Sequence, residues 1–270
     1  MLAAFPGRGP SAYCFVTRSR HGDPLVSQET SLRPTRGVLT SKAVCKDSQR
    51  TGDRTMHKKL VILGAGGFAR EVAWLVTEIN CADAADSWEV VGFLERSSDR
   101  SGESIYGIPV LRSADVAEYS RHIYAVAAIG DPRIRERAVA EAKDLGCRFA
   151  TLIHPSVLMD QDSVKIGAGS IVCAGNILTV NVSIGEHVIL NLDCTIGHDT
   201  AIEDYVTISP GCHLSGYSIL RRGAYLGTGA VTIERREIGP RATIGAGAVV
   251  TRDIPADVTA VGVPARVKEG

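Results

Sequence analysis

Apolar residues along this chain follow two different rhythms. In "KKLVILGAGGFAREVAWLVTEI" an unbroken run, Leu60 to Leu63, predicts a buried strand, and a glycine turn follows. Val72, Leu75, Val76 and Ile79 then share one helical face. "WEVVGFLE" reads as a second strand. "HIYAVAAIGDPRIRERAVAEAKDLGC" repeats the strand, turn and helix, with Ile123 to Ile129 as the strand. There Gly130-Asp131-Pro132 opens the helix and Gly146 ends it. A short strand, "RFATLI", leads into "HPSV". The alternation predicts a small parallel α/β domain over residues 57–150, Rossmann-like, with any ligand at the carboxyl ends of its strands.

The second rhythm has a period of six. From Ile166, steps of six reach Val172, Leu178, Ile184, Leu190, Ile196, Ile202, Ile208, Leu214, Leu220, Leu226, Thr232, Ile238, Ile244 and Val250. Only Thr232 is not aliphatic. Two residues before most of these sits a small one, such as Ser170, Cys194, Cys212, Ala224 or Ala242, and glycine often follows. A strict six-residue period fits neither a helix nor a flat sheet. It predicts a hexapeptide β-helix over residues 151–270, three hexads to a coil, so that residues 18 apart stack. Aliphatic and small positions point inward. Cys194 and Cys212, 18 apart, are expected as stacked core thiols. The fold class is therefore α/β plus all-β.

Residues 1–56 follow neither rhythm. Met1 to His57 holds nine Lys and Arg against four Asp and Glu, with no amphipathic helix of the kind a transit peptide needs. This segment is expected to be a disordered extension without chemistry, or to lie upstream of a start at Met56. Thirty basic and thirty acidic residues balance across the chain, which argues against a general nucleic-acid or membrane-surface binder. No apolar run approaches the roughly 20 residues of a membrane span. Seven scattered cysteines without a C-x-x-C pair suggest reduced thiols in a cytoplasmic protein.

Candidate chemistry lies in two places. Gly64, Gly66, Gly67 and Ala69 match G-x-G-x-x-G/A, where the backbone can approach a phosphate at a helix amino terminus. A dinucleotide site wants an acidic residue about 20 residues further on. Glu95 comes late, 31 residues after Gly64. A packing turn, an NAD site and a nucleotide-sugar diphosphate site all remain readings of this turn. Gly64, Gly66, Gly67, Phe68, Arg70, Glu95, Gly130 and Asp131 are the candidate substrate-binding residues. The second place is "DCTIGHDTAIEDYVTI". His198 follows an inward isoleucine by two positions, so it faces out and the core does not need it. His187 and His213 are also expected to face out. These three histidines stand in different hexad phases, spaced 11 and 15 apart, so convergence on zinc is not expected and no metal is assigned.

The combination resembles the bacterial sugar acetyltransferases that include sialic acid O-acetyltransferases and UDP-4-amino-sugar N-acetyltransferases. The resemblance covers about residues 58–266. It rests on "VILGAGGFAREV", "VVGFLE", "AIGDPRIR", "IHPSV", "NLDCTIGHDTAIEDYVTISPGCHLSG", "IGAGAVVTRDIP" and "GVPAR". It implies a homotrimer of left-handed β-helices, acetyl-CoA in the groove between subunits and a nucleotide sugar in the amino-terminal domain. By position, His198 matches the general base, Asp199 its acidic partner and Asn191 a polar residue lining the pocket. Gly216 matches the glycine whose N–H holds the thioester oxygen. Thr207, Gly216, Thr228, Ala246, Pro264 and Arg266 are the candidate cofactor-binding residues. Some members carry histidine where this chain has Thr207 and Phe68, which leaves the acceptor open. N-acetylation of a nucleotide-linked amino sugar is the first reading. O-acetylation of sialic acid or another sugar and a non-catalytic scaffold are the others.

Overall fold

The computed structural model describes residues 57–85, 87–95, 100, 102–118 and 123–268. The expectation for residues 1–56 lies outside them. The amino-terminal domain runs β1 (Lys58–Leu63), α1 (Gly67–Ala82), β2 (Trp88–Leu94), β3 (Ser104–Ile105), β4 (Ile108–Leu111), α2 (Ser113–Glu118), β5 (Tyr124–Ala127), α3 (Pro132–Asp144) and β6 (Arg148–Phe149). Its sheet has the order β3-β4-β2-β1-β5-β6, parallel except at the β3-β4 hairpin. The hairpin and α2 were not legible as periodic segments.

Helix and sheet interlock for the reason the apolar pattern suggested. β1 is apolar on both faces because helices cover both. Leu60 and Ile62 pack with Ala69, Val72, Leu75 and Val76 of α1, while Val61 and Leu63 pack with Val139 and Ala142 of α3. Each fully buried Leu, Ile or Val among these contributes roughly 1.5–3 kcal/mol. Asp131 caps α3 by accepting from the N–H groups of Arg133 (2.8 Å) and Ile134 (3.0 Å), and Pro132 fills the first turn.

Residues 152–268 form a left-handed parallel β-helix of two-residue strands on three faces. The first face carries strands at Leu152–Ile153, Ile171–Val172, Ile189–Leu190, Thr207–Ile208, Tyr225–Leu226, Thr243–Ile244 and Thr259–Val261. A last antiparallel strand, Arg266–Val267, adds to this face. The second face runs from Leu158–Met159 through Ile177–Leu178, Thr195–Ile196, His213–Leu214 and Val231–Thr232 to Val249–Val250. The third runs from Lys165–Ile166 through Ser183–Ile184, Ala201–Ile202 and Ile219–Leu220 to Glu237–Ile238. Strands 18 residues apart pair, as Thr195 with His213 and Ala201 with Ile219. The inward ladder matches the hexad reading from Val172 to Val250. Thr232 fits inside because its hydroxyl meets Ser218 Oγ at 3.0 Å and accepts from the Ser215 N–H. Cys194 and Cys212 are free, fully buried thiols. Cys147 and Cys173 are also free.

The α/β domain packs on the lower first face, where Leu152, Ile171 and Ile189 join the core around α1. Arg135 of α3 fastens this seam. It is 1% exposed and donates to six acceptors: the carbonyls of Ile129, Gly130, His187, Tyr205 and Val206, and Thr207 Oγ1 at 2.8 Å. Burial pushes its guanidinium down to about 10, still charged at neutral pH. Two sequence expectations change here. His187 does point away from the β-helix, yet the other domain covers it. It is 4% exposed, stacked on Tyr205 (centroids 5.1 Å) and edge-on to Phe149 (4.6 Å). Burial, aided by Arg135, pushes its imidazole down to about 4. Thr207 is likewise covered. It is 4% exposed and donates to the Gly130 carbonyl at 2.7 Å, so its hydroxyl is engaged in the seam.

Candidate functional site

His198 and Asp199 form the turn between the second and third faces, after the strand Thr195–Ile196. Asp199 has φ 57°, the left-handed conformation that the β-helix turns use repeatedly. Its Oδ2 lies 2.9 Å from His198 Nδ1, and its Oδ1 accepts from Asn181 Nδ2 at 3.2 Å. Hydrogen bonds from His198 above all, and from Asn181 and Tyr217, hold the Asp199 carboxyl below the usual carboxylate range. A carboxylate at Nδ1 fixes the imidazole tautomer and leaves Nε2 free to accept a proton. The His198 side chain is 46% exposed, so Nε2 can meet a ligand.

Gly216 lies one coil above His198 and is buried beneath the ring. A Cβ at 216 would stand 2.6 Å from the imidazole, so any side chain there would force the His198 ring to shift. The N–H groups of Ser215 and Tyr217 on either side are spent on backbone bonds, and that of Gly216 makes none among the described residues. His213, by contrast, is exposed on the second face with Nδ1 2.9 Å from Thr195 Oγ1.

The remaining candidates stand elsewhere. Asn191, Thr228 and Ala246 lie on turns from the first to the second face, and Pro264 lies between the strands Thr259–Val261 and Arg266–Val267. His198, Asp199 and Gly216 lie on the next edge, with the second face between the two sets. Asn191 Oδ1 accepts from the Leu192 N–H at 2.8 Å, a local turn bond. Arg266 is exposed on the terminal strand, its Nη1 donating to the Ala265 carbonyl.

The glycine turn opens α1, with Gly66 and Gly67 exposed at its start. Gly64 and Glu95 line a cavity at the carboxyl ends of β1 and β2, together with Leu94, Ile129 and Ile134. Glu95 Oε2 is buried there without a hydrogen bond and faces Arg100 Nη1 at 3.5 Å. Gly130 and Asp131 line a separate cleft with Arg133 of α3 and Tyr225, Arg241 and Thr243 of the β-helix. Phe68 packs against the domain core, and Arg70 lies over the Tyr106 ring. Asn181, Tyr217 and Arg135 were missed in the sequence. The first two stand 18 residues either side of Asp199, so the coil period alone points to them.

Among the described residues, no cluster of His, Cys, Asp and Glu could hold a metal ion, and no helix is long and apolar enough to cross a membrane.

Comparison with known proteins bears on both domains. Residues 59–142 match the PglD N-terminal domain family. The chain is 32% identical over 213 residues to GDP-perosamine N-acetyltransferase of Escherichia coli O157:H7, covering 76% of this chain and 94% of that one. A mutant of perosamine N-acetyltransferase from Caulobacter crescentus, solved with CoA and GDP-perosamine, superposes with TM-score 0.71 at 29% identity. The match covers 78% of this chain and 97% of that one. The acetyltransferase domain of PglB from Neisseria gonorrhoeae FA1090, solved with acetyl coenzyme A, also gives 0.71, at 33% identity, covering 78% of this chain and all of that one.

Proposed function

Because the chain belongs to the hexapeptide-repeat sugar acetyltransferases, acetyl-CoA-dependent enzymes, we propose that it acetylates the amino group of a nucleotide-linked amino sugar with His198 as general base. The observation that carries this reading is the His198 Nδ1 to Asp199 contact at 2.9 Å on an exposed turn beside Gly216. The amine nitrogen attacks the thioester carbonyl carbon. Nε2 of His198 takes the nitrogen's proton, and the Gly216 N–H faces the developing oxyanion. The C–S bond then breaks, and the proton passes to the departing thiolate. A positioned general base contributes about 10²–10⁴-fold, and one oxyanion donor about 3 kcal/mol. Asp199 stays anionic throughout and holds the tautomer.

The nucleotide sugar would enter at the glycine turn and Glu95 cavity, where helix N–H groups favour a phosphate. The perosamine enzymes' nucleotide-sugar ligand supports an amine acceptor over sialic acid. The working unit in this proposal is a homotrimer. In one chain the base and the candidate cofactor residues Thr228, Ala246 and Pro264 occupy different edges of a prism. A groove holding both sets needs the edge of a second copy. The second face supplies apolar surface for such contact, with Leu158 65% and Ile177 40% exposed. We place the reaction in the cytoplasm and in surface-polysaccharide synthesis.

The test follows thiol release from acetyl-CoA with GDP- and UDP-linked amino sugars and sialic acid, for the full chain and His198→Ala. Turnover on a nucleotide-linked amino sugar, reduced at least 10²-fold in the variant, is expected. Turnover confined to sialic acid, or equal rates in both proteins, would overturn the reading.

A further inference from the structure

The turn that carries the base continues upward as a column. Asn181, Asp199, Tyr217 and Arg235 stand 18 residues apart, all with φ between 55° and 60°. Their backbones are tied coil to coil. The Tyr217 N–H donates to the His198 carbonyl at 2.9 Å, and the Arg235 N–H to that of Gly216 at 3.0 Å. The Tyr217 ring meets the His198 imidazole almost at right angles, 89° with centroids 5.1 Å apart. The Arg235 guanidinium lies 4.2 Å from the centre of that same tyrosine ring.

We propose that Tyr217, backed by Arg235, is a positioning residue that holds the His198 imidazole against Asp199. The inference rests on reading His198 as the base. Its physical basis is exposure. The His198 and Asp199 side chains are 46% and 33% exposed, and one hydrogen bond at the surface does not confine a ring that water can also satisfy. Asn181 steadies Asp199 from the coil below. Gly216 lets the imidazole lie flat against the coil above but offers no side chain to stop it swinging outward. Tyr217 supplies that stop, and an aromatic pair of this geometry is attractive edge to face. Arg235 holds the tyrosine in turn by a cation–π contact. The ladder itself does not require an aromatic here, since the same column accepts asparagine at 181 and aspartate at 199. Proton transfer requires Nε2 within hydrogen-bond reach of the amine, and confining the ring raises the fraction of complexes poised to react.

The experiment compares the full chain with Tyr217→Ala, Tyr217→Phe and Arg235→Ala, in steady-state kinetics and in crystal structures. For Tyr217→Ala, kcat is expected to fall about tenfold with both KM values within about twofold. Tyr217→Phe keeps the ring and loses only the hydroxyl's hydrogen bond to Asp199, so it should retain most of the wild-type kcat, and Arg235→Ala should fall between it and Tyr217→Ala. The crystals should show one His198 rotamer in the wild type and several in Tyr217→Ala. Wild-type kcat in Tyr217→Ala, a loss confined to KM, a Phe variant as slow as the Ala variant, or a single unchanged His198 rotamer in Tyr217→Ala would each overturn the proposal. A wild type inactive on every nucleotide-linked amino sugar would instead remove the functional reading, and the rotamer would still decide the role of Tyr217.

Discussion

The imidazole of His198 occupies the place where a side chain on Gly216 would begin, 2.6 Å from an ideal Cβ. The two residues come from successive coils, so the fold, not local sequence, brings them together. Gly216→Ala should therefore displace the ring without unfolding the chain, because a half-exposed histidine can swing into solvent. Expected is a loss of roughly 10²-fold in kcat, at the low end of what a displaced general base costs, since the backbone N–H at 216 is kept. Thermal melting should move by no more than a few degrees. Circular dichroism melts beside thiol-release kinetics check both.

Arg135 carries the seam between the domains. Replacing it with methionine removes the donor from six acceptors; Gly130 keeps the Thr207 hydroxyl and Val206 the Ile189 N–H, while among the described residues the Ile129, His187 and Tyr205 carbonyls lose their partner in a buried seam. A loss of about 3–5 kcal/mol in unfolding free energy is expected. Arg135→Lys should recover only part of it, since an ammonium cannot span acceptors arranged for a planar fork. Urea unfolding measures each.

Thr207 separates seam from cofactor groove. Thr207→Val keeps the shape and removes the hydroxyl that joins Arg135 to the Gly130 carbonyl. Stability should drop by about 1–2 kcal/mol, while the KM for acetyl-CoA stays within about twofold. A several-fold rise in that KM with unchanged stability would return Thr207 to the cofactor.

His187 makes the protein acid-sensitive. Its imidazole is neutral in the folded chain down to about 4, against about 6.5 when unfolded. Between those values the unfolded state binds the additional proton. Stability is therefore complete above about pH 6.5 and drains away as the pH falls towards 4. The linkage amounts to as much as about 3 kcal/mol. Unfolding measured from pH 4 to 7 should show this slope, and His187→Phe should flatten it.

What could be read before the structure follows from where periodicity holds. The inward ladder from Ile166 to Val250 was legible because every hexad repeats one steric rule. β1 and α1 were legible because their apolar faces are continuous. The cover over His187 and Thr207 was not legible because a six-residue period separates inward from outward but says nothing of what packs on the outside. Asp131 looked like a ligand residue and serves as a helix cap, a role that Asp-Pro at a helix start also predicts. Arg135 gave no local signal, for its acceptors lie as far as 72 residues away in sequence. Asp199 and Tyr217 are neighbours only after counting by eighteen.

That counting has a consequence for how such a chain can vary. Along the β-helix, residue number acts as a ruler: six steps turn one corner, and eighteen climb one storey. One residue inserted within a coil and absorbed in the register would turn every later isoleucine towards water. It would also slide Gly216 from above His198. Substitutions remain open to this stretch, particularly at the turn columns, whereas changes of length must bulge out of the prism or return in multiples of a full storey. A library of one-residue insertions between Gly167 and Val250, scored for folded protein, should therefore survive only where the added residue can loop outward at a turn.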